Sequence, residues 1–332
     1  MKPANPKRIG RMENSMKILF MGTPQFAVSS LEMLLDQGYD VVAVVTQPDR
    51  PKGRKRELTP PPVKSFALER GLKVLQPEKL RSPAGVAEVA ELAPDLIVTA
   101  AYGQILPKSV LDLPRLGCIN VHGSLLPRYR GGAPIQRSII NGETVTGVTL
   151  MFMAEGLDTG DMIAKVEVPI TDEDTAGTMF EKLSESGAGL LKEWLPRIIE
   201  GTAARIPQQD SESTYAPNLT REDEKLDWSQ GSRQLFDRVR GLNPMAGGFT
   251  YLDGEVFKVW GCRIPQGSDT VMRPEWTTLV PGSILETGTI GIRIRTGDGS
   301  IVLTEVQPAG KKALAATEFA KGARLAPGKV LG

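Results

Sequence analysis

Short, wholly apolar runs alternate with amphipathic stretches over the first two hundred residues. Residues 17–21 (KILFM) form one such run, which stops at Gly22-Thr23-Pro24 and reads as a buried strand entering a turn. Pro24 suits the start of a helix, and Phe26, Ala27, Leu31, Leu34 and Leu35 follow at helical spacing until Gly38. Residues 41–46 give the next strand, completing a βαβ unit that implies a parallel sheet. The alternation continues with a helix at 86–92, strands at 96–101 and 117–122, and a helix at 134–141. Strands at 145–153 and 162–168 flank a polar loop, and a long helix spans about 175–200, where Pro196 is expected to kink or end it.

Small and polar residues then take over, and the stretch 204–218 has the composition of a linker. Beyond it a helix around 232–241 precedes short strands joined by tight turns. Residues 248–252 and 256–264 flank Asp253-Gly254, and residues 290–295 and 301–306 flank Gly297-Asp298-Gly299. Asp-Gly between such runs signals a hairpin. The expected fold is α/β: a Rossmann-like N-terminal domain over 16–203 with a predominantly parallel sheet, then a mostly-β, OB-like barrel over 219–332.

Composition narrows the options. At 332 residues two domains are expected. A formal net charge of +1 excludes a polycation that binds nucleic acid through its overall field, so any such contact must be local. Cys118 and Cys262 form no CxxC pair and there is one histidine, so neither a disulfide framework nor a metal site is read. No run of 18 apolar residues occurs. Residues 1–15 are polar and lack the apolar core of a signal peptide; they read as a disordered extension or an upstream start ahead of Met16. The expected compartment is the cytoplasm.

The single histidine, His122, concentrates the candidate chemistry, because imidazole is the one side chain that ordinarily exchanges protons near neutrality. Asn120 lies two residues earlier and shares its face on an extended strand. Gly123-Ser124 and Pro127 then end that strand, and the carboxyl edge of an open α/β sheet is where ligands bind. A second cluster, GLDTGD at 156–161, supplies Asp158 and Asp161 as candidate carboxylates. A carboxylate can orient an imidazole, and an amide with an imidazolium can donate to an oxygen gaining negative charge. Ser124 lies nearby, but without a GxSxG elbow it is no clear nucleophile. The set suits attack on a carbonyl by an external nucleophile. At 22–27 (GTPQFA) only one glycine of a GxGxxG remains, which disfavours a nicotinamide dehydrogenase, and no P-loop motif occurs.

The segment NVHGSLLP, with GLDTGDM downstream, resembles the folate-dependent formyltransferase family. The resemblance extends to KILFMGTPQFAV, TQPDRPKGRKRELTPPPVK, AYGQILPKSVL, RGGAPIQRSI, GVTLMFMAEGLDTGDMI and LTEVQPAGKKAL, and covers nearly all of the chain from Met16 onward. It implies transfer of the formyl group of 10-formyltetrahydrofolate, a co-substrate, to an amine without a metal, with Asn120, His122 and Asp158 as the catalytic trio. Ser124, Leu125, Leu126 and Pro127 would line the folate site, with residues 101–106 (AYGQIL) as a further wall.

The basic loop and QPAGKK narrow the resemblance to members acting on the α-amino group of methionine carried by initiator tRNA, for translation initiation. Arg50, Lys52, Arg54, Lys55 and Arg56 form that loop, and Pro48, Pro51 and Gly53 are expected to keep it free of regular structure. A cationic loop at the sheet edge can grip acceptor-stem phosphates. By the resemblance, Arg54 is its key arginine and the protein is a monomer; Lys311 and Lys312 are further candidates for tRNA, with a structural turn as the alternative role for that segment. Three other readings stand beside this one: a formyltransferase acting on an amino sugar or a glycinamide nucleotide, a non-catalytic RNA-binding protein on the same fold, and a Rossmann dehydrogenase.

Overall fold

Residues Ile18 to Met21 are fully shielded from solvent on both faces of their strand, as befits a parallel sheet covered by helices on either side. This structure, a computed structural model, describes residues 16–53 and 56–332. Residues 1–15, read as an extension, and Arg54 and Lys55 of the basic loop lie outside the described residues.

The first nine strands, in chain order, are β1 (Lys17–Gly22), β2 (Asp40–Val45), β3 (Arg50–Lys52), β4 (Glu57–Thr59), β5 (Val74–Leu75), β6 (Leu96–Ala100), β7 (Cys118–His122), β8 (Val145–Phe152) and β9 (Met162–Pro169). Seven of them form one sheet in the order β5-β2-β1-β6-β7-β8-β9. Pairing is parallel from β5 through β7 and antiparallel between β7 and β8. Strands β1, β2, β6 and β7 therefore all end at one edge, and the order reverses between β1 and β6, the place where such sheets open a crevice.

Three of those strand exits are tied together by Thr23. Its hydroxyl donates to the Tyr102 carbonyl at 2.7 Å and accepts from the Gln47 backbone N–H at 3.3 Å. Gly22 is required beside it, because a Cβ there would stand 2.6 Å from the Ala27 side chain and 3.0 Å from the Ala100 carbonyl. The helix Gln25–Asp36 can start so close to the sheet only over a glycine.

One expectation about proline is corrected and a second is narrowed. The basic loop is not free of regular structure: β3 and β4 pair antiparallel, with Pro51 opposite Leu58. Proline is compatible with a two-stranded ribbon because each strand has an outer edge that needs no N–H. Pro196 does not end the long helix, which runs from Ala176 to Ile199. A helix at Pro62–Glu69, opened by prolines at its first turn, was hidden in the PPPV stretch.

Backbone contacts divide the chain into two compact units. The first comprises the described residues up to His122, Thr149–Lys165 and Gly187–Gln208. Its core includes Leu19, Met21, Val45, Ile97 and Val110. The second comprises Gly123–Val148, Val166–Ser186 and Gln209–Gly332. It contains β10 (Gly248–Leu252), β11 (Glu255–Arg263), β12 (Ile284–Gly288), β13 (Gly291–Arg295), β14 (Ser300–Pro308) and β15 (Leu314–Ala315). These form an antiparallel sheet, as the alternating pattern and tight turns anticipate. Leu252 pairs with Glu255 across Asp253-Gly254, both at positive φ, the geometry of a two-residue hairpin turn. Trp228, Leu235, Phe257, Val259, Ile294 and Leu303 close the core beneath that sheet.

The segment 204–218 is held within each unit by backbone pairs. Ile206 and Met162 exchange two bonds of 2.9 Å in the first unit. In the second, the Ala216 N–H donates to the Arg130 carbonyl at 2.7 Å. Among the described residues no helix is long and apolar enough to cross a membrane.

Candidate active site

Strand β7 is apolar except where the chemistry needs it otherwise. Ile119 and Val121 face one side and are buried, so Asn120 and His122 share the other. The strand register places Thr99 of β6 directly beside Asn120. Thr99 is itself buried, and its hydroxyl lies 2.8 Å from Asn120 Oδ1, to which it donates, and 3.0 Å from the Ile119 carbonyl. With Oδ1 turned toward Thr99, the amide group of Asn120 offers its N–H bonds elsewhere. Cys118 on the same strand is no nucleophile at neutral pH, because burial pushes its thiol up to about 12.

The carboxylate comes from the loop between β8 and β9. Phe152 N–H donates to the Asp161 carbonyl at 2.8 Å and closes the loop base. Gly160 fits only without a side chain, since a Cβ would fall 1.9 Å from the Phe152 carbonyl. Asp158 adopts a left-handed backbone, φ 53°, a conformation that Asp tolerates better than most residues. Its Oδ2 stands 3.7 Å from His122 Nδ1, and the two side chains are 15% and 6% exposed. That separation is longer than a direct hydrogen bond and is an ion-pair distance whenever the ring is protonated; the shielding from water would then preserve its electrostatic strength. Asp161, the other candidate, faces Arg205 at 3.8 Å instead and is more exposed. The structure thus brings Asp158 to the imidazole, from a position 36 residues along the chain.

The remaining site candidates fall in different surroundings. Ser124–Pro127 belong to the second unit. Ser124 Oγ is buried and donates to the Arg128 carbonyl at 2.8 Å, Leu126 is core, and Leu125 and Pro127 are partly accessible. In the first unit Arg50 pairs with Glu78 at 3.1 Å, both exposed, and Arg56 is exposed at the end of the ribbon. Lys52 lies on β3. After β6, Tyr102 is buried and Ile105 is 75% exposed, an apolar surface at the same strand edge. Lys311 and Lys312 are exposed after β14. Among the described residues no group of three or more His, Cys, Asp or Glu could hold a metal ion.

Sequence reasoning missed Thr99 and Gln208. Thr99 was detectable as the one hydroxyl in the apolar run LIVTA. Gln208, whose Nε2 donates to the carbonyls of Asp158 and Gly160 at 2.8 Å each, sits in polar sequence that carries no signal.

Two family models match the chain. One, described as formyl transferase, matches residues 16–196, and the other, formyl transferase C-terminal domain, matches residues 218–324. A methionyl-tRNA formyltransferase of Geobacillus thermodenitrificans is 54% identical over 95% of this chain and 97% of its own. One from Bacillus licheniformis is 53% identical over 95% and 98%. Among solved structures, WlaRD, a sugar 3N-formyl transferase in the presence of dTDP and 5-N-formyl-THF, superposes with a TM-score of 0.65 at 20% identity, covering 90% of this chain and 100% of that one.

Proposed function

The chain belongs to the formyl transferase family, and on that premise we propose that it transfers the formyl group of 10-formyltetrahydrofolate to the α-amino group of methionine on initiator methionyl-tRNA. The observation that carries the chemistry is the placement of Asp158 3.7 Å from the only imidazole in the chain, on the strand face that also bears Asn120. The observation that carries the substrate is identity above one half to enzymes named for it, over nearly their whole length.

The α-amino group of an aminoacyl ester must be neutral to attack, and an ordinary α-amino group titrates near ~8, so a useful fraction is ready at neutral pH. Its nitrogen attacks the formyl carbon and the carbonyl oxygen becomes an oxyanion. The Asn120 amide N–H and the protonated ring of His122 donate to that oxygen. Asp158 supplies the negative charge that compensates the imidazolium. As the bond from the formyl carbon to N10 breaks, a proton must leave the attacking nitrogen and reach N10; Asp158 can carry it through water. The residues fit a folate donor in kind. A flat heterocycle needs apolar area with a few directional hydrogen bonds, and Ile105 is largely exposed at the strand edge where Gln47 and Thr23 meet the Tyr102 carbonyl.

The cationic β3–β4 ribbon follows β2 at that same edge of the first unit. Arg50, Lys52, Arg54, Lys55 and Arg56 would meet acceptor-arm phosphates there. The test is substrate competition. The purified protein with a formyl-folate donor is offered charged initiator tRNA, an amino-sugar nucleotide and glycinamide ribonucleotide. Formylation of the charged tRNA alone is expected. Formylation of either small amine, with none on tRNA, would overturn the assignment.

A further inference from the structure

The stretch after the long helix returns to the loop that carries Asp158. Ile206 pairs with Met162 through two backbone bonds of 2.9 Å. One residue earlier, the Arg205 guanidinium lies 3.7 Å from the centre of the Phe152 ring and reaches Asp161 at 3.8 Å. Two residues later, Gln208 Nε2 spends both its hydrogens on this loop, at 2.8 Å from the Asp158 carbonyl and 2.8 Å from that of Gly160. All these residues lie in the first unit.

The loop needs such a clamp. Asp158 holds a left-handed backbone, which Asp tolerates better than most residues but which still carries a cost for any residue with a Cβ, so its surroundings must hold it. The two carbonyls are separated by a single residue, so one planar amide can bridge both and fix the Asp158–Thr159 and Gly160–Asp161 peptide units. Fixing them fixes the direction in which the Asp158 carboxylate leaves the backbone, and hence its 3.7 Å approach to His122.

We propose that Gln208 is a positioning residue for the formyl-transfer reaction: it does not touch substrate, but holds the Asp158 loop in the conformation that presents the carboxylate to the imidazole. This rests on the proposed function, and the segment otherwise readable as a linker thereby becomes part of the site's framework.

Two measurements test it. In the first, Gln208→Leu, which keeps bulk and removes the donors, is compared with Gln208→Asn, which keeps an amide one methylene too short to span both carbonyls. Both are expected to lower kcat about tenfold while the KM for the folate donor and for charged tRNA stays within about twofold. In an Asp158→Ala background, Gln208→Leu should cost less than about twofold more. Equal losses in the two backgrounds would mean general stability, and would overturn the proposal.

The second measurement needs no turnover. His122 is the only histidine, so the ring signals of one imidazole report the site by NMR. The Gln208 variants should move them toward their positions in Asp158→Ala. Unmoved signals in variants that unfold at the wild-type temperature would overturn the role of Gln208. Absence of product from wild-type protein would instead overturn the proposed function and leave the NMR result to decide this one.

Discussion

Thr99 donates a hydrogen bond to Asn120 Oδ1 at 2.8 Å across adjacent parallel strands, and so selects which end of the Asn120 amide faces the other side. An asparagine is useful to an oxyanion only through its N–H bonds; presented oxygen first, it would repel the developing charge. Thr99→Val removes the hydroxyl and keeps the branched shape. The expected result is a loss of kcat of about tenfold, smaller than the ~10²–10³ loss for Asn120→Ala typical of a missing oxyanion donor. Thr99→Ser should restore most of it. Wild-type kcat in Thr99→Val would show that Asn120 is oriented by other means.

Arg54 is predicted to act on the tRNA alone. Arg54→Ala should raise the KM for charged tRNA about tenfold or more, steepen no folate dependence, and reduce the sensitivity of tRNA use to added salt, because one phosphate contact is lost. Formylation rates at several salt concentrations check this. An equal loss with a small amine surrogate would contradict a role confined to tRNA.

Tyr102 carries a buried hydroxyl for which no partner is present among the described residues, while its backbone carbonyl accepts from Thr23 and Gln47. Burial pushes the phenol up to about 12, so it stays neutral. An unsatisfied buried hydroxyl costs about 1–3 kcal/mol, and removing it leaves the ring packing unchanged. Tyr102→Phe is therefore expected to match or exceed the wild-type melting temperature. A clear drop in Tm would reveal a bond to the hydroxyl.

Asp223 makes stability depend on acid. Its hydrogen bonds with Arg137, at 2.7 and 2.9 Å, hold the carboxyl down to about 2, against the opposing effect of burial and with help from the Thr220 N–H and hydroxyl. An unfolded Asp titrates near ~3.9. The folded value is the lower one, so the contribution is complete above pH ~4 and fades as pH falls toward 2. Asp223→Asn should lower stability at neutral pH and flatten its decline between pH ~4 and ~2. Denaturation at a series of pH values measures both, and superimposable acid limbs would contradict the pairing.

The residues that were legible in the sequence are those governed by local periodicity. The apolar runs of β1, β2, β6 and β7 declare buried parallel strands, and a period of two puts Asn120 and His122 on one face from the sequence alone. What stayed hidden depends on register or on distant chain. Thr99 matters because it is the strand partner of Asn120, and register across a crossover is not written in either strand. Local sequence offers Asp158 and Asp161 alike and the family resemblance chooses Asp158; the fold supplies the physical distinction, turning one toward His122 and the other toward Arg205. Gln208 meets Asp158 from 50 residues away through a stretch whose composition says only that it is polar. The β3–β4 ribbon was obscured because proline reads as a breaker unless one knows which edge is unpaired.

On this reading His122, with Asn120 and Asp158, drives formyl transfer to methionyl-tRNA. Initial rates of formyl-methionyl-tRNA formation, measured with wild-type protein and with His122→Ala at matched circular dichroism and melting temperature, test it most directly. The expected result is robust turnover by the wild type and a loss of about 10²–10³ or more in the variant. A His122→Ala protein that formylates methionyl-tRNA at the wild-type rate would contradict it.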